Sequence, residues 1–371
     1  FTGPIAEDQL AFRLSGRVRQ RDGYVESLNP DEDDFNSQDM IALRGGLTFT
    51  PNEDLRVDLI ANYQEDNPSG TSFKSGAFEP APGASTDAWD PAFLNTFGGF
   101  LGGRELGLER DVSGLTLLTT YDISDALRLT SITGFREFES SEVFDPDGFD
   151  LPLFIFAENA DGEQFSQELR LNFDVNERLR GFVGASYFDE TGSQEVPLTY
   201  DERAVQAFLG GLIVPPTAPD VETLPDFNLT VFALNGTIVP LKPIHNEVFT
   251  NFGDTKSYEV FGDVSFDLTD RFELTGGLRY TKEEKTSGLL VEFPQGPSNV
   301  TFAGLFVQDT GGLIESSDEF DALTWRVAAK YEVNPSVNVY ANAASGRRPE
   351  VITASASNPT AGFTTLDAEV V

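Results

Sequence analysis

Cysteine is absent from this 371-residue chain, and histidine and methionine occur once each. Without thiols there is no disulfide framework, no thiolate metal site and no cysteine nucleophile. With His245 as the single imidazole, no histidine-based metal cluster can be assembled. Lying in a long connection, it reads as a plain surface residue. Basic residues are scarce too: 25 Lys and Arg stand against 61 Asp and Glu, a formal net charge of −36. That excess repels a phosphate backbone, so nucleic acid is excluded as a partner. No basic run suggests a peripheral membrane anchor. No stretch of about 18 apolar residues exists, which removes transmembrane helices but not membrane strands, whose apolar and polar residues alternate. Nucleotide loops and nucleophile elbows are lacking as well. Gly98 to Gly103 is a glycine cluster without a following Lys-Ser/Thr. Carboxylates are too abundant at this charge for any one pair to indicate glycosidase chemistry. The expectation is a protein that is not an enzyme, with no cofactor and no metal centre.

What the chain does have is period-two alternation. Phe272, Leu274, Leu278 and Tyr280 fall on one face of a strand whose other face carries Glu273, Thr275, Arg279 and Thr281. Leu323, Trp325, Val327, Ala329, Tyr331 and Val333 alternate with Thr324, Arg326, Lys330 and Glu332. Phe165, Leu169, Leu171 and Phe173 repeat the pattern, as do Leu55, Val57, Leu59, Ala61 and Tyr63. About eleven strands follow, at 9–21, 39–50, 55–65, 109–123, 127–139, 163–174, 178–189, 256–268, 271–284, 321–333 and 336–346. Most are longer than the roughly 5–6 residues of ordinary strands and match or exceed the roughly 9–11 that cross a bilayer.

The connections alternate between two classes. Short ones lie at Pro51–Asp54, Ser124–Ala126, Asn176–Glu177, Thr269–Asp270 and Asn334–Pro335. Long ones cover 22–38, 66–108, 140–162, 190–255, 285–320 and 347–365. A soluble sandwich has no reason to gather its tight turns at one end, whereas an outer-membrane barrel has short periplasmic turns and long extracellular loops. Aromatic residues sit at both strand ends: Phe49, Tyr121, Phe173, Phe266, Phe272 and Tyr331 near the short turns, and Tyr63, Phe135, Tyr187 and Tyr280 near the loops. Two interfacial girdles would place them so; aromatics also favour strands anywhere. The expected fold class is all-β, a transmembrane antiparallel β-barrel, with residues 1–371 as one partial barrel domain. Phe1 to Ile5 reads as the end of a strand and Leu366 to Val371 as the start of one.

Within this frame the segment Ser257 to Glu284 resembles the mid-barrel hairpin of TonB-dependent outer-membrane receptors. Gln164-Phe-Ser-Gln-Glu-Leu-Arg-Leu171 resembles another strand of that family, and Gly3 to Gly16 with Arg21-Asp-Gly-Tyr24 an early hairpin. Val339 to Pro349 and Leu366-Asp-Ala-Glu369 are similar to later strands. The resemblance implies a barrel of about 22 strands filled by an N-terminal plug, in the bacterial outer membrane. On this reading the plug, its TonB-contacting box and the last strands lie outside the chain. The implied partners are outer-membrane lipid and lipopolysaccharide, the TonB–ExbB–ExbD complex through the N-terminal region, and a scarce small-molecule ligand such as a ferric siderophore. A passive porin-like channel and an all-β surface adhesin are the alternatives.

Charge distribution supplies the candidate site. Arg13, Arg17, Arg19, Arg44, Arg56, Arg128, Arg136, Arg170, Arg180, Arg279 and Arg326 fall on polar strand faces beneath acidic loops. Such a wall could guide an anionic ligand. The favoured reading is plainer: these arginines pair with Asp58, Glu168, Asp263 and Glu273 on the same face and contact the plug that the resemblance implies. Candidate ligand contacts are Trp89, Phe97, Arg136, Arg347 and Arg348. The acidic runs Asp31–Asp34 and Asp145–Asp150 match no calcium loop and read as solvated charge, with divalent-ion bridging to lipopolysaccharide as the other use.

Overall fold

The computed structural model describes residues 1–76, 78–96, 104–148, 153–209, 230–232 and 238–370. Twelve strands form one antiparallel sheet in which each is hydrogen-bonded to its neighbours in chain order. They are β1 (Thr2–Ala6), β2 (Leu10–Arg21), β3 (Gln38–Phe49), β4 (Leu55–Asp66), β5 (Gly107–Ser124), β6 (Leu127–Phe144), β7 (Phe154–Asn176) and β8 (Leu179–Tyr200). After the helix α1 (Glu202–Leu209) and a small hairpin of β9 (Thr230–Phe232) and β10 (Ile238–Pro240), the sheet continues. Its last members are β11 (His245–Thr269), β12 (Phe272–Glu292), β13 (Ile314–Asn334) and β14 (Val337–Ala344). Short ribbons β15 (Arg347–Arg348) with β18 (Glu369–Val370), and β16 (Val351–Thr353) with β17 (Thr364–Leu366), follow. The eleven expected strands are all present. The twelfth is β1, the strand end read at Phe1 to Ile5.

Five of the six hairpin turns of the sheet share one construction. A one-residue register shift precedes the turn in β1–β2, β5–β6, β7–β8, β11–β12 and β13–β14. Such a bulge bends the strand into its hairpin. Asn176 Oδ1 accepts the N–H groups of Arg178 and Leu179, and Asn334 Oδ1 accepts that of Ser336. Short polar side chains thereby satisfy turn donors that no ladder reaches.

Between turns and loops the two faces of the sheet differ as the alternation requires. Leu14, Val18, Leu43, Leu117, Leu169, Val260, Leu278, Leu323 and Trp325 are exposed on one face. An exposed apolar surface this continuous belongs against lipid. Phe272 and Tyr331 pair across strands with ring centroids 6.4 Å apart beside the turns. Phe165, Tyr187 and Tyr258 form a chain of ring contacts at 6.2 and 5.3 Å toward the loops. Eight residues separate Phe266 from Tyr258, and Phe272 from Tyr280. At about 3.3 Å per residue and the usual tilt, the band between them is roughly 20 Å tall.

The strands run longer than expected, up to the 25 residues of β11. Much of what read as loop is therefore strand projecting past the outer girdle: 154–162 of β7, 190–200 of β8, 245–255 of β11 and 285–292 of β12. Three buried apolar clusters among the described residues lie in and above these extensions. Val143, Ile155 and Ala157 form one, Leu289, Val291 and Val307 a second, and Val25, Phe35, Ala92 and Leu94 a third between loops. His245 corrects a reading: it is completely buried, because the 293–313 connection folds over the first residues of β11.

Candidate functional site

The polar face divides into two electrostatic sectors. From β7 onward the arginines within its strands are taken. Arg170 meets Glu168 at 2.9 Å, Arg180 contacts Asp267 at 3.1 Å and also Glu273, Arg279 approaches Glu259 at 3.4 Å, and Arg326 reaches Asp263 at 2.5 Å. Arg128 is held by Asp122, and on β4 Arg56 by Asp58. All four carboxylates named from the sequence carry a guanidinium. Ion pairs this exposed contribute little individually, and their role is to leave the wall locally neutral.

Glycines make the longest of these contacts possible. Asp263, Gly277 and Arg326 lie side by side on β11, β12 and β13, so the ion pair spans an intervening strand over a residue without a side chain. One row away, Arg170, Gly184, Phe261 and Arg279 are aligned across four strands. The Phe261 ring lies over Gly184, with Arg170 at 5.8 Å and Arg279 at 5.0 Å from its centroid, and Arg170 also covers Phe182 at 4.7 Å. A Cβ at Gly184 would stand 2.6 Å from the Phe261 ring and 2.8 Å from the Leu169 carbonyl oxygen. The ring can turn, but the backbone oxygen cannot. Gly184→Ala is expected to cost about 1–3 kcal/mol through overpacking, lowering the temperature at which the full-length barrel loses its compact gel mobility.

The first sector is different. Among the described residues no carboxylate lies within ion-pair distance of Arg13, Arg17, Arg19, Arg44 or Arg136. Lateral register aligns Ser15, Arg44, Asn62, Gly114 and Arg136 in one row, with Arg17, Ala42, Gln64 and Val112 in the next. Gly114 leaves a gap between Asn62 and Arg136. The result is a cleft of about 530 Å³ whose lining holds Arg17, Arg44, Arg136, Asn62 and Gln64 and no acidic residue. Of the three arginines only Arg44 is engaged among the described residues, donating to Asn62 Oδ1 at 3.2 Å, while Gln64 donates to Asp66 at 2.8 Å. Arg136 adjoins Phe135 of the outer girdle, so the cleft opens at the depth where the loops begin. The sequence named Arg17 and Arg44 only among eleven polar-face arginines and did not offer Asn62 or Gln64 as candidates; only the register groups the four with Arg136.

The remaining candidates lie among the loops. Trp89 is 74% exposed and packs its ring 6.0 Å from Tyr24, over which Arg21 also lies at 5.0 Å. Phe97 falls outside the described residues. Arg347 is nearly buried between Glu283, at 3.5 Å, and Glu350, so it pins the segment after β14 to β12. Arg348 is exposed and 3.7 Å from Glu369. The acidic runs are less solvated than their composition suggests. Burial, then Glu105, Asp31 and Asp33, push the Glu32 carboxyl up to about 7. Asp145 is fully buried, where loss of solvent and the neighbouring Asp147 raise its affinity for a proton. Its oxygens accept the N–H groups of Asn95 and Asp147, tying the 67–106 connection to the end of β6.

Residues 6–370 match the family model described as TonB dependent receptor-like, beta-barrel. The chain belongs to that family, whose members are outer-membrane transport proteins rather than enzymes. No curated protein sequence matches it. The ferric yersiniabactin uptake receptor FyuA from Yersinia pestis is similar in fold at TM-score 0.65 and 16% identity, over 100% of this chain and 47% of that one. The siderophore receptor PiuA from Acinetobacter baumannii gives 0.56 and 11%, over 94% and 46%. The ferric-catecholate import receptor Fiu from E. coli K12, in its closed form, gives 0.54 and 13%, over 94% and 48%. The chain thus spans about half the length of these solved barrels. At such identities the likeness is one of fold: an antiparallel barrel of the outer membrane.

Proposed function

We propose that this chain is part of the barrel wall of an energy-coupled importer that takes up a scarce anionic ligand such as a ferric siderophore. The observation that carries the reading is the cleft bearing Arg17, Arg44 and Arg136, three guanidiniums left without carboxylates in a chain that has more than two acids for every base. Unpaired like charges facing one space repel, and an anion entering that space relieves the repulsion. Ligand would arrive through the loops, meet Trp89 and Arg348 near the surface, and settle against Arg136 on the wall. Arg347 then positions its strand. Phe97 remains a proposed contact, and residues 1–371 are one partial barrel domain. Energy would reach the site through the TonB–ExbB–ExbD complex acting on a plug, while lipid and lipopolysaccharide surround the apolar face. In whole cells bearing the full-length protein, uptake of radiolabelled ferric chelates should stop when the proton-motive force is dissipated. Uptake that persists would instead support a passive channel.

A further inference from the structure

The connections 201–244 and 293–313 are joined by a buried group of titratable side chains that the uptake reading does not use. Tyr200 ends β8, Glu202 opens α1, and His245 and Glu247 open β11; all four are fully buried. Glu247 accepts the Tyr200 hydroxyl at 2.6 Å and the backbone N–H groups of Leu305, Phe306 and Val307 at 2.5, 2.9 and 3.0 Å. Glu202 accepts the N–H groups of Lys242 and Asn299. The Lys242 ammonium faces the carbonyls of Gln295, Gly296 and Pro297 at 3.0, 3.3 and 2.6 Å, and His245 Nδ1 at 3.2 Å. The ammonium shares three N–H groups among these four acceptors and only donates, so its contact with Nδ1 assigns the neutral imidazole with its proton on Nε2. Among the described residues that Nε2 has no partner, since Glu247 Oε1 lies 3.7 Å away, beyond hydrogen-bond reach.

We propose that His245 is a pH-sensitive latch: neutral, it accepts from Lys242 and keeps the 293–313 loop clamped to the 201–244 loop, and protonated, it releases that clamp. A proton on Nδ1 converts the acceptor into a donor and places two cations 3.2 Å apart, the imidazolium among them fully buried. The groups facing the ring are Tyr200 from β8, Glu202 from α1, Lys242 from the preceding connection and Glu247 from β11. The two carboxylates attract an imidazolium from 3.8 and 3.7 Å, but backbone N–H groups already hold both, and closing the gap would break those bonds. Burial first, and Lys242 second, hold the imidazole below its ordinary 6.5. In the opened form the ring takes a proton near that ordinary value, whereas in the clamped form it does not. The clamp therefore has its full stability above about 6.5 and loses it progressively as pH falls below that value. The inference concerns the chain's own loops and stands whatever ligand the barrel carries.

The test is amide hydrogen exchange of the 293–313 segment in the full-length protein in outer-membrane vesicles at pH 8 and pH 5.5, corrected for intrinsic exchange rates. Protection of Leu305 to Val307 should fall by about tenfold at the lower pH. His245→Asn, which offers Lys242 a neutral acceptor, should keep its protection at both. Lys242→Met, a second variant in case the first does not assemble, should show low protection at both pH values and little change between them. Protection in the wild type that ignores pH, or an equal fall in His245→Asn, overturns the latch.

Discussion

Replacing Glu247 with alanine is expected to detach the 293–313 loop while leaving the barrel folded. Its carboxylate is the sole described side-chain acceptor for the N–H groups of Leu305, Phe306 and Val307, and it also takes the Tyr200 hydroxyl. Hydrogen bonds to a charged group contribute about 1.5–3 kcal/mol each, and a buried donor left alone loses a comparable amount. Water enters part of the gap, because Phe306 is 37% exposed. A loss of about 3 kcal/mol in loop docking is a moderate expectation for so many partners. Val307 packs with Leu289 and Val291, so its release also opens an apolar cluster. Hydrogen exchange at Leu305 to Val307 should then rise by roughly a hundredfold. The tight turns at Asn176 and Asn334 should exchange as before. Glu247→Gln keeps one carbonyl acceptor and should fall between. Equal protection in the alanine variant and the wild type would mean that apolar packing alone seats the loop.

The parts of this molecule that alternation describes were legible in the sequence, and the parts that pairing describes were not. Within the bilayer each strand must present apolar residues outward and polar ones inward, so Phe272 to Tyr280 and Leu323 to Val333 announce themselves. Beyond the outer girdle neither face meets lipid, and the constraint lapses. His245 to Lys256 continues β11 with Asn246, Glu247, Thr250, Asn251 and Asp254, a composition indistinguishable from a loop, yet the ladder runs on because backbone bonding needs no side-chain pattern. Burial of His245 escaped notice for a related reason. Its cover comes from residues some fifty positions away, and nothing in Pro243, Ile244 or Asn246 signals it. The same holds for charge. Arg326 finds Asp263 from 63 residues away and Arg180 finds Glu273 from 93, so which arginines are neutralised depends on lateral register. Counting polar-face arginines could show that both signs were present. Only register shows that Arg17, Arg44 and Arg136 meet around one cleft without a carboxylate, while Arg170, Arg180, Arg279 and Arg326 are each paired.

That division leads to the second large effect. In the full-length protein, Arg44→Ala combined with Arg136→Ala should raise the ligand concentration for half-maximal uptake far more than any substitution among the paired arginines. The two residues flank Asn62 and Gly114 in one row of the cleft, with no side chain between Asn62 and Arg136 to take over their contacts. A charge-assisted contact to an anion contributes about 1.5–3 kcal/mol, so each loss corresponds to roughly a tenfold to hundredfold weakening. Neither guanidinium balances a carboxylate, so removing them leaves no buried acid uncompensated and assembly should be normal. Arg128→Ala is the comparison. Its guanidinium is held by Asp122 beside a tight turn, far from the cleft, and the change should leave half-maximal uptake within about twofold. The two variants together separate a ligand site from a general electrostatic effect, because the charge removed at Arg128 is felt at long range only through salt-screened fields. Uptake that falls in both alike, or in maximal rate with affinity unchanged, would remove Arg44 and Arg136 from the binding surface and assign the cleft to packing against another part of the protein.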